Sequence, residues 1–175
     1  MILDIVQIWD PVLRRKSIDI LNIWKYKKCI ENLKETLSAS WWVWLAAPQV
    51  WISVSLFVMH ISPTLTRPDL KDRGTYIVIN PRIISHSEDM YMDREWCLSI
   101  WWKTLSTGLK AKVPRFNRIE VEYLNEWWKL ISTRLEWFEG RVFQHEYDHL
   151  QWIFFLDQMT DMSTIMTHER YTKLK

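Results

Sequence analysis

The chain has 175 residues, 48% of them apolar and 25% charged, which suits one folded domain with a substantial core and excludes a disordered polymer. Its net charge is only +2 and no dense Lys/Arg block interrupts it, so direct reading of nucleic acid is not expected. No run reaches the roughly 18 apolar residues of a membrane span, and Met1 to Ile8 lacks the basic leader of a secretory signal. A cytoplasmic protein with Cys29 and Cys97 kept as thiols is the expectation.

In chain order, Asp10-Pro11 predicts a short helical entry with proline in its first turn. Apolar positions in steps of three and four predict an amphipathic helix over 23–39, in which Cys29 is a small hydrophobe. Residues 53–61 and 76–79 read as buried strands, with a proline-containing loop over 62–74 between them. Period-two alternation predicts strands at 118–124 and 130–135, with Trp127-Trp128 in the place of a hairpin turn. A helix over about 137–150 follows, and 163–172 reads as a final polar helix. Strands first and a helix late predict an α+β domain with antiparallel sheet.

The most informative run is Gln144-His-Glu-Tyr-Asp-His-Leu150. On a helix, His145 and His149 project from one face one turn apart, the spacing at which two neutral imidazoles grip one transition-metal ion. Glu146 is rotated by about 100°, within reach of water at the metal without entering the ligand set. Such a helix supports metal-assisted hydrolysis. Two histidines do not complete a site, and Cys97 in Glu95-Trp-Cys-Leu-Ser99 is the foremost third ligand. Read alone, Cys97 is more often a plain core cysteine, Gln49 in Leu45-Ala-Ala-Pro-Gln49 can simply belong to a tightly packed small-residue run, and Asp148 is equally a solvated helix acid. A pairing of Asp148 with Arg115, behind the helix, is the other reading of that acid.

Together these three segments resemble the peptide deformylase family. That family shows Gly-x-Gly-Leu-Ala-Ala-Pro-Gln, then Glu-Gly-Cys-Leu-Ser, then Gln-His-Glu-x-Asp-His-Leu, in that order. The resemblance runs from Asp10-Pro11-Val12-Leu13-Arg14 to about residue 160 and implies one catalytic domain over 1–175. Its fold would be antiparallel sheets around a central helix carrying the metal motif, with a C-terminal helix. The implied activity is metal-dependent removal of the formyl group from the N-terminal methionine of new polypeptides. Cys97, His145 and His149 would hold the metal, typically Fe(II), with zinc, nickel or cobalt accepted. Glu146 would move the proton of the activated water to the departing amine. The Gln49 amide and the Leu98 backbone N–H would stabilise the oxyanion. Val43, Phe138, Val142 and Leu98 would form the methionine pocket, and the 42–44 segment, including Trp44, would pair with the peptide backbone. The implied partners are formyl-methionyl nascent chains, with the ribosome a candidate, and nothing in the sequence suggests more than a monomer. A zinc endopeptidase shares the helix but recruits a downstream third ligand, and His168 stands isolated. A non-catalytic homologue that keeps a structural metal and binds peptides is the remaining alternative.

The composition has one abnormal feature, 13 Trp against 3 Gly, where ordinary usage gives about 12 Gly. Trp42, Trp44, Trp51, Trp96, Trp137 and Trp152 stand at family glycines, and Trp102 and Trp128 join the same set. Either the chain has been systematically substituted, or tryptophan is written where the molecule carries glycine.

Overall fold

The computed structural model describes residues 1–40, 42–63, 67–100 and 108–174. Trp41, Trp101 and Trp102 lie outside the described residues, as does part of the expected 62–74 loop. Strands Trp44–Ala46 (β1), Leu56–Ile61 (β2), Gly74–His86 (β3), Arg118–Leu124 (β6) and Leu130–Glu136 (β7) form one antiparallel sheet in the order β1-β2-β3-β6-β7. Strands Met90–Glu95 (β4), Leu109–Phe116 (β5) and Met166–Thr167 (β8) form a second antiparallel sheet in the order β4-β5-β8. The helices are Lys27–Ser40 (α1), Trp137–Leu150 (α2) and His168–Thr172 (α3). The α+β class, the antiparallel pairing and the C-terminal helix agree with expectation.

Several elements differ in extent. The 76–79 strand runs from 74 to 86, because β2 and β6 flank it over its whole length and a ladder continues past its apolar stretch. Residues 23–26 form a 3-10 turn, capped by the Asn22 side chain, before α1 begins. The expected helix over 163–172 is corrected to a 3-10 turn at Met162–Thr164, the short β8, and α3 alone. Asp161 caps the first turn, the pairing of 166–167 with β5 extends the chain, and the Thr167 hydroxyl then caps α3. Strands β4 and β5 were not expected; charged residues alternate poorly there, and buried Arg115 and Glu95 interrupt the apolar pattern.

Three apolar clusters hold the elements together. One packs α1 (Ile30, Leu33, Leu37) on Leu45, Leu56, Val58, Ile77 and Ile79, with Cys29 half-buried at its edge. A second sets Val142, Phe143 and Leu150 of α2 against Phe57, Val78, Ile119 and Val121 of the large sheet. The third surrounds Cys97 with Val6, Leu13, Ala111, Val113, Phe154 and Phe155. Helix α2 therefore lies between the large sheet and the Cys97 segment. Gly140 permits its close approach, since a Cβ there would sit 3.3 Å from the Leu135 carbonyl oxygen.

The backbone carries positive φ at Trp9, Trp51, Trp128, Trp137 and Trp152, and among other non-glycine described residues only at Asn80. Two of these tryptophans terminate helical turns in the same way. After α2, the Ile153 N–H bonds the Asp148 carbonyl and the Trp152 N–H bonds that of His149. After Ala47–Val50, the Ile52 N–H bonds the Ala47 carbonyl and the Trp51 N–H bonds that of Pro48. This is the Schellman arrangement, with Trp at the left-handed place that glycine usually takes. Trp128 ends the β6–β7 hairpin loop, closed by Trp128 N–H to Asn125 and Asn125 N–H to Lys129, at the left-handed position of a turn-plus-bulge. Trp9 is third in a four-residue turn closed by the Asp10 N–H on the Gln7 carbonyl. Left-handed backbone costs a residue with a Cβ roughly 1 kcal/mol or more, so five such sites are large against a total stability of roughly 5–15 kcal/mol. Trp51→Gly and Trp152→Gly should each stabilise the fold by about 1 kcal/mol, read as a higher urea midpoint with an unchanged slope; a lower midpoint for both would refute the strain.

Candidate metal centre

Cys97, His145 and His149 converge from two elements. The two histidines sit on one face of α2, and Cys97 follows β4 at the entry to a 3-10 turn. One ligand atom from each lies within 4.8 Å of the other two, and all three residues are buried. The Cys97 Sγ is 3.2 Å from His149 Nε2. Gln49 arrives from the turn after β1; its Oε1 accepts from the Ala46 N–H at 2.8 Å. That bond fixes the amide so that Nε2 faces the Cys97 Sγ at 3.3 Å and the Ser99 Oγ at 3.1 Å.

Behind these residues lies a buried ionic cluster. Glu95 accepts from Arg115 Nε at 2.9 Å and Nη2 at 3.0 Å, from Arg141 Nη1 at 2.6 Å, and from His145 Nδ1 at 2.8 Å. Arg115 Nη1 also donates to Asp148 at 2.5 Å, the pairing expected from the sequence. Burial opposes charge on Glu95, but Arg115 and the His145 N–H together hold its carboxyl well below the usual range. Because Nδ1 of His145 is committed to Glu95, the Nε2 lone pair faces the site. Glu95 and Arg141 were missed as a functional pair. Glu95 stands inside the Cys97 motif, but a charge beside an apolar run reads as a solvated flank until its burial is known.

The donor set fits a divalent cation. His145 Nε2 and both Glu146 oxygens are buried without a hydrogen-bond partner, an arrangement proteins avoid unless a cation or water is bound. Arg115 and Arg141 balance Glu95 and Asp148, so an ionised Cys97 and Glu146 match the two charges of one such ion. Burial, then Glu95 and Asp148, push the Glu146 carboxyl well up. Burial, then Glu146, push the Cys97 thiol up. Burial, then His145, keep His149 neutral by driving it well down. A nearby divalent cation counters the first two effects and suits the third.

Beside His145, the side chains of Trp44, Phe138 and Val142 are brought together with Trp96, Arg67, Arg94 and Arg141 around a cavity of about 20 Å³. Val43 and Leu98 do not line it. Trp42, Trp44 and Trp96 pack against one another with ring centroids 5.8 to 6.3 Å apart, and Trp44 and Trp96 also line the cavity. A larger concavity of about 760 Å³ lies elsewhere, between Leu21–Lys34 and the hairpin tip at Trp127 and Trp128. That one contains no cysteine or histidine, so chemistry, not size, marks the centre.

Glu95→Gln should destabilise the fold by about 3 kcal/mol, because it leaves two buried guanidiniums short of charge. It should also weaken metal binding about 10-fold or more, through loss of the His145 anchor. Denaturation and metal titration read the two effects, and unchanged values in both would remove the cluster from the account.

The chain matches the family model described as polypeptide deformylase over residues 2–164. It is 33% identical to peptide deformylase 2 of Nostoc sp. over 99% of this chain and 94% of that one. The crystal structure of the Thermotoga maritima peptide deformylase superposes with a TM-score of 0.78 at 32% identity, covering 92% of this chain and 99% of that one. A Met-Ala-Ser-bound class I type b peptide deformylase from Acinetobacter baumannii gives a TM-score of 0.81 at 25% identity, covering 91% of this chain and 99% of the other. A buried Cys/His₂ donor set on this fold, and a family match across nearly the whole sequence, lead to one conclusion: the chain belongs to the polypeptide deformylase family.

Proposed function

We propose that Cys97, His145 and His149 hold one divalent ion, and that Glu146, Gln49 and the Leu98 backbone N–H act beside it in deformylation. The activity is that of the family: metal-dependent hydrolysis removing the formyl group from newly made polypeptides. The observation that carries the residue roles is the convergence of three ligand atoms within 4.8 Å, next to an unpartnered Glu146. An ion held there supplies Lewis acidity toward water and the formyl oxygen. Cys97 and the two histidines are soft enough for Fe(II), our assignment, with zinc, nickel and cobalt as further occupants.

Glu146 takes the proton from the attacking water and delivers it to the departing amine; its buried carboxyl is well matched to holding a proton between those events. Gln49 Nε2, aimed by the Ala46 bond, donates to the formyl oxygen as negative charge grows on it, and the Leu98 N–H is a second donor. We assign the methionine side chain to Phe138 and Val142, which line the cavity beside His145, and the peptide backbone to the 42–44 segment. Among the described residues β1 is the outermost strand of its sheet, so an extended peptide can add beside it. Among the described residues no helix is long and apolar enough to cross a membrane. We assign the chain to the cytoplasm as one catalytic domain over 1–175, acting as a monomer on formyl-methionyl nascent chains, with the ribosome as a candidate partner.

One observation favours a second reading, an impaired homologue. The cavity beside His145, about 20 Å³, has room for roughly one water and not for a methionine side chain.

Glu146→Ala should keep one metal ion per chain and lower kcat/KM on formyl-Met-Ala-Ser about 10²- to 10⁴-fold. Metal analysis beside steady-state rates tests this; parallel loss of metal and turnover would contradict the role given to Glu146.

A further inference from the structure

We propose that the working polypeptide carries glycine at positions 9, 51, 128, 137 and 152, and at 44 and 96, where the sequence writes tryptophan. The first five stand on backbone geometry alone. Each has φ between 51° and 86°, and four of them sit in turns whose hydrogen bonds define a glycine place. The fifth, Trp137, joins β7 to α2, with its N–H on the Asn117 carbonyl. Nothing about an indole supports that conformation. Asn80 shows what support looks like: its amide bonds both the N–H and the carbonyl of Ile20 at 2.8 Å, which holds the left-handed backbone. The five indoles instead stand out from the turns, between 39% and 90% exposed.

Positions 44 and 96 rest in addition on the deformylase reading. Both indoles line the small cavity beside His145. Trp44 lies against the His145 ring, with centroids 5.7 Å apart, and its Nε1 is buried without a hydrogen-bond partner. Glycine at both places removes the two largest side chains from the cavity wall and disposes of that orphan donor. It also exposes the backbone of β1 to a substrate strand.

The replacement involves one residue type, runs in one direction, and recurs in turns of unrelated shape along the whole chain. Independent substitution at separate sites would leave a mixture of residues. One systematic exchange of tryptophan for glycine between the written sequence and the molecule leaves this pattern, with Gly74, Gly108 and Gly140 unaffected.

The test is the intact mass and peptide map of the protein isolated from the cells that encode it. Each Trp-to-Gly exchange removes C₉H₇N, so the expected mass falls short of the thirteen-tryptophan chain by at least seven such units. Glycine should map to the seven positions, whereas the full thirteen-tryptophan mass overturns the proposal. Two synthetic chains, one as written and one with glycine at the seven positions, provide a second arm. The glycine chain should unfold at a higher urea midpoint and process formyl-Met-Ala-Ser at least 10-fold faster; equal midpoints would overturn the backbone argument. A stabler glycine chain that binds metal but leaves the formyl peptide intact would support the glycine assignment and count against the deformylase reading.

Discussion

Everything near the metal centre depends on one buried carboxylate. Glu95 receives two guanidiniums and an imidazole, and through them it joins β4, β5 and α2. Arg115 extends the network to Asp148, one turn further along the same helix. The cluster is electrically closed, with two acids against two guanidiniums. Its cost in desolvation is high, and a well-packed apolar substitute could be as stable. What the ionic version adds is direction. It holds the His145 ring in one tautomer and turns the other nitrogen toward Cys97 and His149, which apolar packing would not do.

The chemistry was more legible in the sequence than the scaffold. Residues 144–150 announce themselves through helical spacing, and α2 runs from 137 to 150 as the period implied. Gln49 and Cys97 are individually unremarkable and become informative only in combination with that helix. The Arg115–Asp148 pair could be guessed, whereas the role of Glu95 could not, because a carboxylate at a strand end looks the same whether it faces water or two arginines. Strands β4 and β5 were hidden for the same reason, their alternation broken by charges that turn out to be buried or paired. The C-terminal segment failed differently. It read as a polar helix, but a tertiary pairing to β5 claimed two of its residues.

The tryptophans separate two kinds of information that a sequence normally carries together. The side chains proposed to do chemistry are intact, and so are the apolar residues that make the three clusters. Tryptophan stands at five places of left-handed backbone, where glycine is the usual residue. The chain nevertheless keeps the turns glycine would have made, including two Schellman terminations and a bulged hairpin. The fold is therefore specified redundantly by strand pairing and core burial, with the turns following from them.

Strand β1 is three residues long and forms the border of its sheet. A ligand strand laid along that border would meet mainly peptide groups, which are the same in every protein. Recognition of this kind measures direction and extension and is blind to most of the sequence it holds. With glycine at 44 and 96, as proposed, the cavity beside His145 would be the place where a side chain is inspected. Such a site would be general toward the many chains it serves and selective at a single residue, their first.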